Sequence, residues 1–260
     1  MAQGAVFLRC RSCGLWRQDP RPVATDALAR YDDEYLAYEI ARQFDYRAIS
    51  LLSLAEAGLV PDAPPAWATR SDGSPPAVLD VGCATGALLS SFAAAGWKAV
   101  GVEPGASMAA HARDRFGLDV RAATLEAAGL PSASFDAVTA LHVIEHLNDP
   151  VGFLRAVRGL LRPSGRLFLM TPNADGFQAV LRGGRWRSAI RDHLYLFSVR
   201  TMSAMLAAAG FRVEYAGTWG GWPVGERPRW LKAPLDAAAK KLGLGDVMIL
   251  RAGPAGTAGV

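Results

Sequence analysis

The sequence is short of several things, and each shortage removes a class of protein. No run of 18 uninterrupted apolar residues occurs, so no bilayer-spanning helix and no membrane partner is expected. The opening residues, MAQGAVFLRC, lack a long apolar core and an A-x-A site, so no secretory signal is expected. Three cysteines in 260 residues cannot staple a disulfide scaffold, which makes a reducing, cytoplasmic setting the default. Neither sign of charge dominates, with 28 basic residues against 24 acidic. A net +4 permits an anionic small molecule without demanding nucleic acid. No internal repeat is present. What is plentiful is apolar: 51% of residues, enough for a sizeable core in one large domain with a small appendage.

The pattern changes along the chain. Residues 25–59 read as largely helical, with Leu28, Tyr31, Tyr35, Tyr38, Ile49, Leu52 and Leu59 spaced among charges. Residues 61–76 (PDAPPAWATRSDGSPP) cannot sustain a helix or a central strand and read as a linker. From residue 77 onward β-rich and helical runs alternate: 77–81, 87–95, 99–103, 105–116, 135–141, 151–161 and 166–171. Gly96 suits a left-handed helix end, Asp149-Pro150 a helix start, and Ser198 an N-cap. Strands 211–217 and 246–252 close the chain. Near-continuous apolar strands alternating with helices predict an α/β, doubly wound, mostly parallel sheet with helices on both faces.

The most informative segment is VLDVGCATGALL, residues 78–89. A buried strand ends at Asp80, a glycine turn follows, and a helix begins whose first N–H groups have no intrahelical partner. Glu103 ends the next strand 21 residues after Gly82 (103 − 82), close to the interval of about 20 at which a second-strand acid binds ribose hydroxyls. A dinucleotide site needs G-x-G-x-x-G. Here Ala84 stands at the second glycine, and Asp80 at the mouth of the turn would repel a pyrophosphate. The same acid would accept from an ammonium group, which S-adenosylmethionine carries. A tight turn with no ligand is the plain alternative.

Asp80-Val81-Gly82-Cys83-Ala84-Thr85-Gly86, Glu103-Pro104, Phe135-Asp136-Ala137-Val138, His142-Val143-Ile144-Glu145-His146 and Leu160-Leu161-Arg162-Pro163-Ser164-Gly165 together resemble the successive motifs of class I S-adenosylmethionine-dependent methyltransferases, over residues 77–213. The resemblance implies a Rossmann-like seven-stranded sheet with an antiparallel last strand. It also implies cofactor roles. Gly82, Ala84 and Gly86 would wrap the methionine part, Asp80 would lie near its amino group, and Glu103, followed by Pro104, would hold the ribose hydroxyls. Thr124 and Leu125 would sit at the adenine, and Leu141 and His142 beside the methyl donor. Many relatives have an acid where Thr124 stands.

The His142–His146 run also fits the H-x-x-E-H pattern of some zinc peptidases, but it follows a buried strand directly rather than lying on one helical face. It resembles the E-x-x-E-H run of ubiquinone-type O-methyltransferases, which can hold a divalent metal. The first acid is His142 here, so magnesium is not assigned, and Glu145 and His146 are read as shaping a pocket and capping backbone. Farther on, Arg191-Asp192-His193-Leu194-Tyr195-Leu196-Phe197-Ser198 resembles a run that precedes a substrate-covering helix in relatives. His193 is the candidate general base, with a loop-holding histidine as the alternative. Tyr35, His146, Arg187 and Tyr195 are candidate substrate contacts. The Arg182–Arg191 loop would clamp an anion or be merely solvated. Trp186 and Trp222 are placed at the acceptor.

Cys10-Arg11-Ser12-Cys13 has the form of half a zinc ribbon, as found before some sugar and natural-product methyltransferases. Tetrahedral zinc takes four ligands and only two are here, so zinc is not assigned. The expected organisation is a zinc-ribbon-like remnant over 1–24, a helical lid and linker over 25–76, and an S-adenosylmethionine-binding methyltransferase domain over 77–260. It would act as a monomer or homodimer on the O, N or C nucleophile of a small molecule such as a sugar, quinone or natural-product intermediate. The alternatives are a methyltransferase on RNA or DNA, a non-catalytic S-adenosylmethionine-binding subunit, and, weakest, a nicotinamide-dependent oxidoreductase.

Overall fold

The chain path bears out the alternation of strand and helix. In the computed structural model, residues 5–19, 33–220 and 229–256 are described. A hairpin, β1 (Phe7–Arg9) and β2 (Trp16–Gln18), comes first, followed by the long helix α1 (Asp33–Glu56). Then follow β3 (Ala77–Val81), α2 (Ala87–Ala94), β4 (Lys98–Val102), α3 (Ala106–Phe116), β5 (Asp119–Arg121), β6 (Phe135–Leu141), α4 (Pro150–Leu160) and β7 (Leu161–Pro172). The last third holds α5 (Phe177–Arg182), β8 (Tyr195–Leu196), α6 (Val199–Ala208), β9 (Phe211–Trp219), α7 (Arg229–Lys241) and β10 (Val247–Pro254).

Seven strands form one sheet in the order β5-β4-β3-β6-β7-β10-β9. The pairs from β5 to β7 are parallel, and β10 runs antiparallel between β7 and β9. Strand residues alternate between two apolar layers, as the period of two requires. Leu79 and Val81 of β3, Leu167 and Leu169 of β7, and Met248 and Leu250 of β10 face α4 and α6, packing with Phe153, Leu154, Met202 and Leu206. Val78, Phe168, Met170 and Ile249 face the other way, towards Leu89, Phe92, Ala109, Ala112 and Leu54 at the end of α1. Both faces are covered, which is why these strands read as unbroken apolar runs.

Local signals explain the boundaries. The Asp149 side chain accepts from the Gly152 N–H at 2.8 Å, with Pro150 in the first turn of α4. Ser198 and Thr201 form a reciprocal capping box at the start of α6. Gly96 takes the left-handed conformation past α2. The proline-rich stretch is an irregular strap, and it is packed against the sheet. Ala68 is fully buried, and the Pro61 carbonyl accepts from Trp97 Nε1 at 2.9 Å. Arg70 donates to Asp136 at 2.8 Å and to the Ser134 carbonyl at 2.9 Å.

The hairpin is tied into the rest of the fold. β2 pairs antiparallel with β8, making a small three-stranded sheet whose apolar side packs Trp16 and Phe7 on Trp186, Ala189 and Leu196. Its turn is the cysteine knuckle. Gly14 has φ +81°, the Cys10 N–H donates to the Leu15 carbonyl, and the Gly14 N–H donates to the Cys10 carbonyl. Both thiols are exposed. Hydrogen bonds from the Cys13 backbone and from Ser12 pull the Cys10 thiol down to about 6.

Candidate active site

At the carboxyl end of the central strands, β3 leads into a turn with three residues at positive φ: Gly82 at +69°, Ala84 at +46° and Gly86 at +78°. The glycines answer to space as well as to φ. A Cβ on Gly82 would stand 2.7 Å from Val143, and one on Gly86 2.8 Å from both Ala112 and Leu118. Ala84 has no such licence, since a left-handed alanine costs roughly 1–2 kcal/mol. Its N–H is held at 3.0 Å by Glu103 Oε2, while Glu103 Oε1 accepts from the Gly105 N–H at 2.8 Å. A buried acid at the tip of β4 thereby anchors the turn after β3. The Cys83 side chain points back into the core, close to Gly101, and burial pushes its thiol pKa up.

Asp80 is also buried and takes a 2.6 Å hydrogen bond from the Thr139 hydroxyl on β6. Burial pushes its carboxyl up to about 7, against the lowering effect of Thr139 and with some help from the Glu103 charge. A ligand ammonium group would reverse that balance. Thr139 went unnoticed in the sequence, although a hydroxyl inside the apolar run FDAVTAL is the signal for such a partner. Pro104 is half-buried after β4. Beyond β5, Thr124 is exposed and Leu125 buried. Leu141 ends β6, and His142 follows it at φ +58°. The fold therefore sets the expected cofactor residues at the carboxyl tips of adjacent strands.

The expected acceptor residues divide. Glu145 and His146 lie in a short 3₁₀ turn (Ile144–His146) after β6, and His193 lies in the loop before β8. The His146 and His193 rings meet edge to face with centroids 4.8 Å apart. The backbone ties the segments together, since the Leu194 N–H donates to the Glu145 carbonyl at 2.7 Å. His193 is 8% exposed, with Nδ1 2.8 Å from the Ser188 carbonyl. Burial lowers its pKa to about 4, against the opposing pull of Glu145. For Glu145 burial alone would raise the pKa. The hydrogen bond and charge of His142, with the charges of His146 and His193, outweigh it and hold the carboxyl at about 2.

Of the other expected acceptor residues, Tyr195 stays beside this turn, whereas Arg187 and Tyr35 are engaged elsewhere. Arg187, read as an anion clamp, is ion-paired with Asp246 at 3.0 Å, and Asp246 also accepts from Trp186 Nε1 at 2.8 Å. Trp186 is buried in the hairpin interface. Tyr195 stacks on Phe197 and is 3.4 Å from the Asn148 carbonyl. Tyr35, in the first turns of α1, hydrogen-bonds Glu39. Tyr31 and Trp222 lie outside the described residues. Gln18, which had no signal in the sequence, joins hairpin to loop, its amide donating to the Arg191 carbonyl at 2.9 Å.

A family model described as a methyltransferase domain matches residues 42–216. The chain belongs to that family. It is a class I S-adenosylmethionine-dependent methyltransferase, in agreement with the glycine turn, the acid after β4 and the antiparallel β10. Among curated proteins, a ubiquinone biosynthesis O-methyltransferase of Methylocella silvestris is 38% identical over 101 residues, 37% of this chain and 40% of that one. The chain thus spans about two fifths of that relative's length. Among solved structures, a Thermotoga maritima S-adenosylmethionine-dependent methyltransferase matches with TM-score 0.60 at 19% identity, covering 88% of this chain and 99% of that one. A Burkholderia thailandensis 1,6-didemethyltoxoflavin-N1-methyltransferase with bound S-adenosylhomocysteine matches with TM-score 0.53 at 16% identity, over 96% and 99%. These likenesses show the fold. The methyltransferase has S-adenosylmethionine as its cofactor.

The resemblance of residues 142–146 to a metal-holding run raises the question whether an ion fits this methyltransferase. Glu145 Oε2 is buried without a hydrogen-bond partner. Glu145, His146 and His193 each offer a donor atom, all within 4.8 Å of one another, the one such group of three found among the described residues. The donors fit a divalent ion. Cys10 and Cys13 join no such group there.

Proposed function

We propose that this methyltransferase moves the sulfonium methyl of S-adenosylmethionine to a small molecule, through an oxygen nucleophile. What supports the reading is that the two half-sites touch: Gly82 of the donor turn packs on Val143, at the head of the turn that carries Glu145 and His146. A methyl donor in the turn and lone pairs on buried and half-buried side chains then lie at adjacent strand ends. Within this reading Asp80 receives the cofactor's ammonium group and Glu103 its ribose hydroxyls. Leu141 and His142 flank the sulfonium, and residues 77–260 carry the catalytic domain, with α1 as its cover.

Displacement at sulfur needs alignment more than activation. Holding nucleophile, carbon and sulfur in line is worth roughly 7–11 kcal/mol. The acceptor must also lose its proton, and a histidine held at about 4 is a weak partner for an ordinary hydroxyl, because a base works best near the operating pH. We therefore place the acceptor hydroxyl against Glu145, His146 and His193 as a group, and do not give its deprotonation to His193 alone. Methyl-labelled cofactor offered with pools of phenols, sugars and RNA tests the reading. Label in the low-molecular-weight hydroxyl compounds is expected, and label in RNA would overturn it.

A further inference from the structure

We propose that Glu145, His146 and His193 form a three-ligand site that selects a transition-metal ion of the zinc or cobalt kind over magnesium. The chain has four histidines, and His142, His146 and His193 meet around one buried carboxylate. Two of them are oriented as ligands. His146 Nδ1 is 2.7 Å from the Asp192 carbonyl, and His193 Nδ1 is 2.8 Å from the Ser188 carbonyl. A carbonyl only accepts, so each Nδ1 carries the proton and each Nε2 the lone pair. Metal-binding histidines are held in this way, with the second ring nitrogen donating to a backbone carbonyl or carboxylate.

The carboxylate completes the set. Glu145 is 1% exposed; Oε1 lies 3.2 Å from His142 Nδ1, whereas Oε2 has no hydrogen-bond partner. A carboxylate oxygen in that state is costly to bury unless a cation meets it. One ligand atom from each of the three residues lies within 4.8 Å of the others. Ligands at zinc bond lengths stand about 3.3 Å apart around a tetrahedron, so drawing in by roughly 1.5 Å closes the site. His142 stays outside the ligand set and positions Glu145 from behind.

Donor chemistry decides the ion. Magnesium wants oxygen ligands in near-octahedral array and keeps its waters, while two imidazoles with one carboxylate suit zinc, cobalt and their neighbours. Such an ion would supply Lewis acidity to a hydroxyl beside the methyl donor. His193 is then a ligand and not the base. The site deepens the acceptor reading above, but ion binding requires no acceptor, so the two can fail separately.

The full chain, stripped by chelator, is titrated with cobalt(II), zinc and magnesium. One equivalent of cobalt with a visible d–d spectrum free of thiolate charge transfer is expected, and zinc binding about 100-fold or more tighter than magnesium. Glu145→Gln and His193→Ala should each weaken zinc about 100-fold, while Cys10→Ser with Cys13→Ser leaves it unchanged. Binding of S-adenosylhomocysteine within threefold of wild type certifies that the variants are folded. Should they fail to fold, the wild-type cobalt spectrum decides alone. No cobalt band, a thiolate-dominated band, or magnesium bound as tightly as zinc would each overturn the proposal.

Discussion

At the proposed donor end of the site the groups on offer are mostly main chain, set by three left-handed residues and one buried acid. At the acceptor end they are imidazoles and a carboxylate, aimed by carbonyls from a distant loop. The donor turn is held within two adjacent strands: Gly82 and Cys83 donate to the Val102 carbonyl, and Glu103 reaches back to Ala84. The acceptor group depends on residues 142–146, on residues 186–196 and, through Gln18, on the amino-terminal hairpin. A backbone-built site admits few substitutions and little drift. A side-chain site on loops can change its chemistry while the donor end stays fixed, as loops on a rigid scaffold commonly do.

The sharpest way to break this comparison is at the donor end. Gly82→Val places a side chain against Val143 and demands left-handed backbone of a β-branched residue, so it should abolish S-adenosylhomocysteine binding in calorimetry. Glu103→Ala should do the same. Tight NADH binding by the wild type would contradict the assignment altogether. At the acceptor end, Glu145→Gln should cost about 100-fold or more in turnover while cofactor affinity barely moves. An equal loss of cofactor affinity would show that the two ends are not separable.

Asp80 gives a smaller effect with a defined sign. Its folded pKa of about 7 lies above the ordinary 3.8, so the free protein binds an extra proton between those values and its stability falls as pH rises through that window. An ammonium ligand wants the carboxylate, so S-adenosylhomocysteine affinity should rise about tenfold from pH 6 to pH 8. Asp80→Asn should flatten the profile. Smaller again, Gln18→Ala removes a buried amide that holds the His193 loop. It should lower stability by about 1–2 kcal/mol and reduce turnover several-fold, leaving cofactor binding intact in the same calorimetric assay. Arg187→Ala should change turnover less than twofold, because that side chain is largely exposed and its buried partner Asp246 keeps the hydrogen bond from Trp186 Nε1.

What could be read from the sequence divides along the same line. Strands β3 and β6 fall where expected, because burial on both faces leaves them as apolar runs between turn residues. The turn after β3 and its anchor Glu103 are recognisable because glycine at positive φ and an acid at a strand tip are backbone requirements written in residue types. The acceptor end was only half legible. Its histidines stand out, but the carbonyls of Ser188 and Asp192 that fix their tautomers could belong to any residue. The three-stranded sheet was missed because β1, β2 and β8 are two or three residues long, too short for a period to show. Arg187 and Trp186 were misplaced at the acceptor because nothing local to them announces Asp246, some sixty residues on.

The pairing of Trp16 with Leu196 bears on how the chain is made. During synthesis the hairpin emerges early, and its partner strand follows only after most of the chain. Until then β2 is an open edge, the kind of surface that recruits strands from other molecules. Arg9, Arg11 and Arg17 crowd that hairpin with like charge, a guard against such pairing that loses its purpose once β8 arrives. Closing so long a loop comes late on entropic grounds. The small sheet that braces the His193 loop should therefore close only after β3, β4 and β6 have emerged.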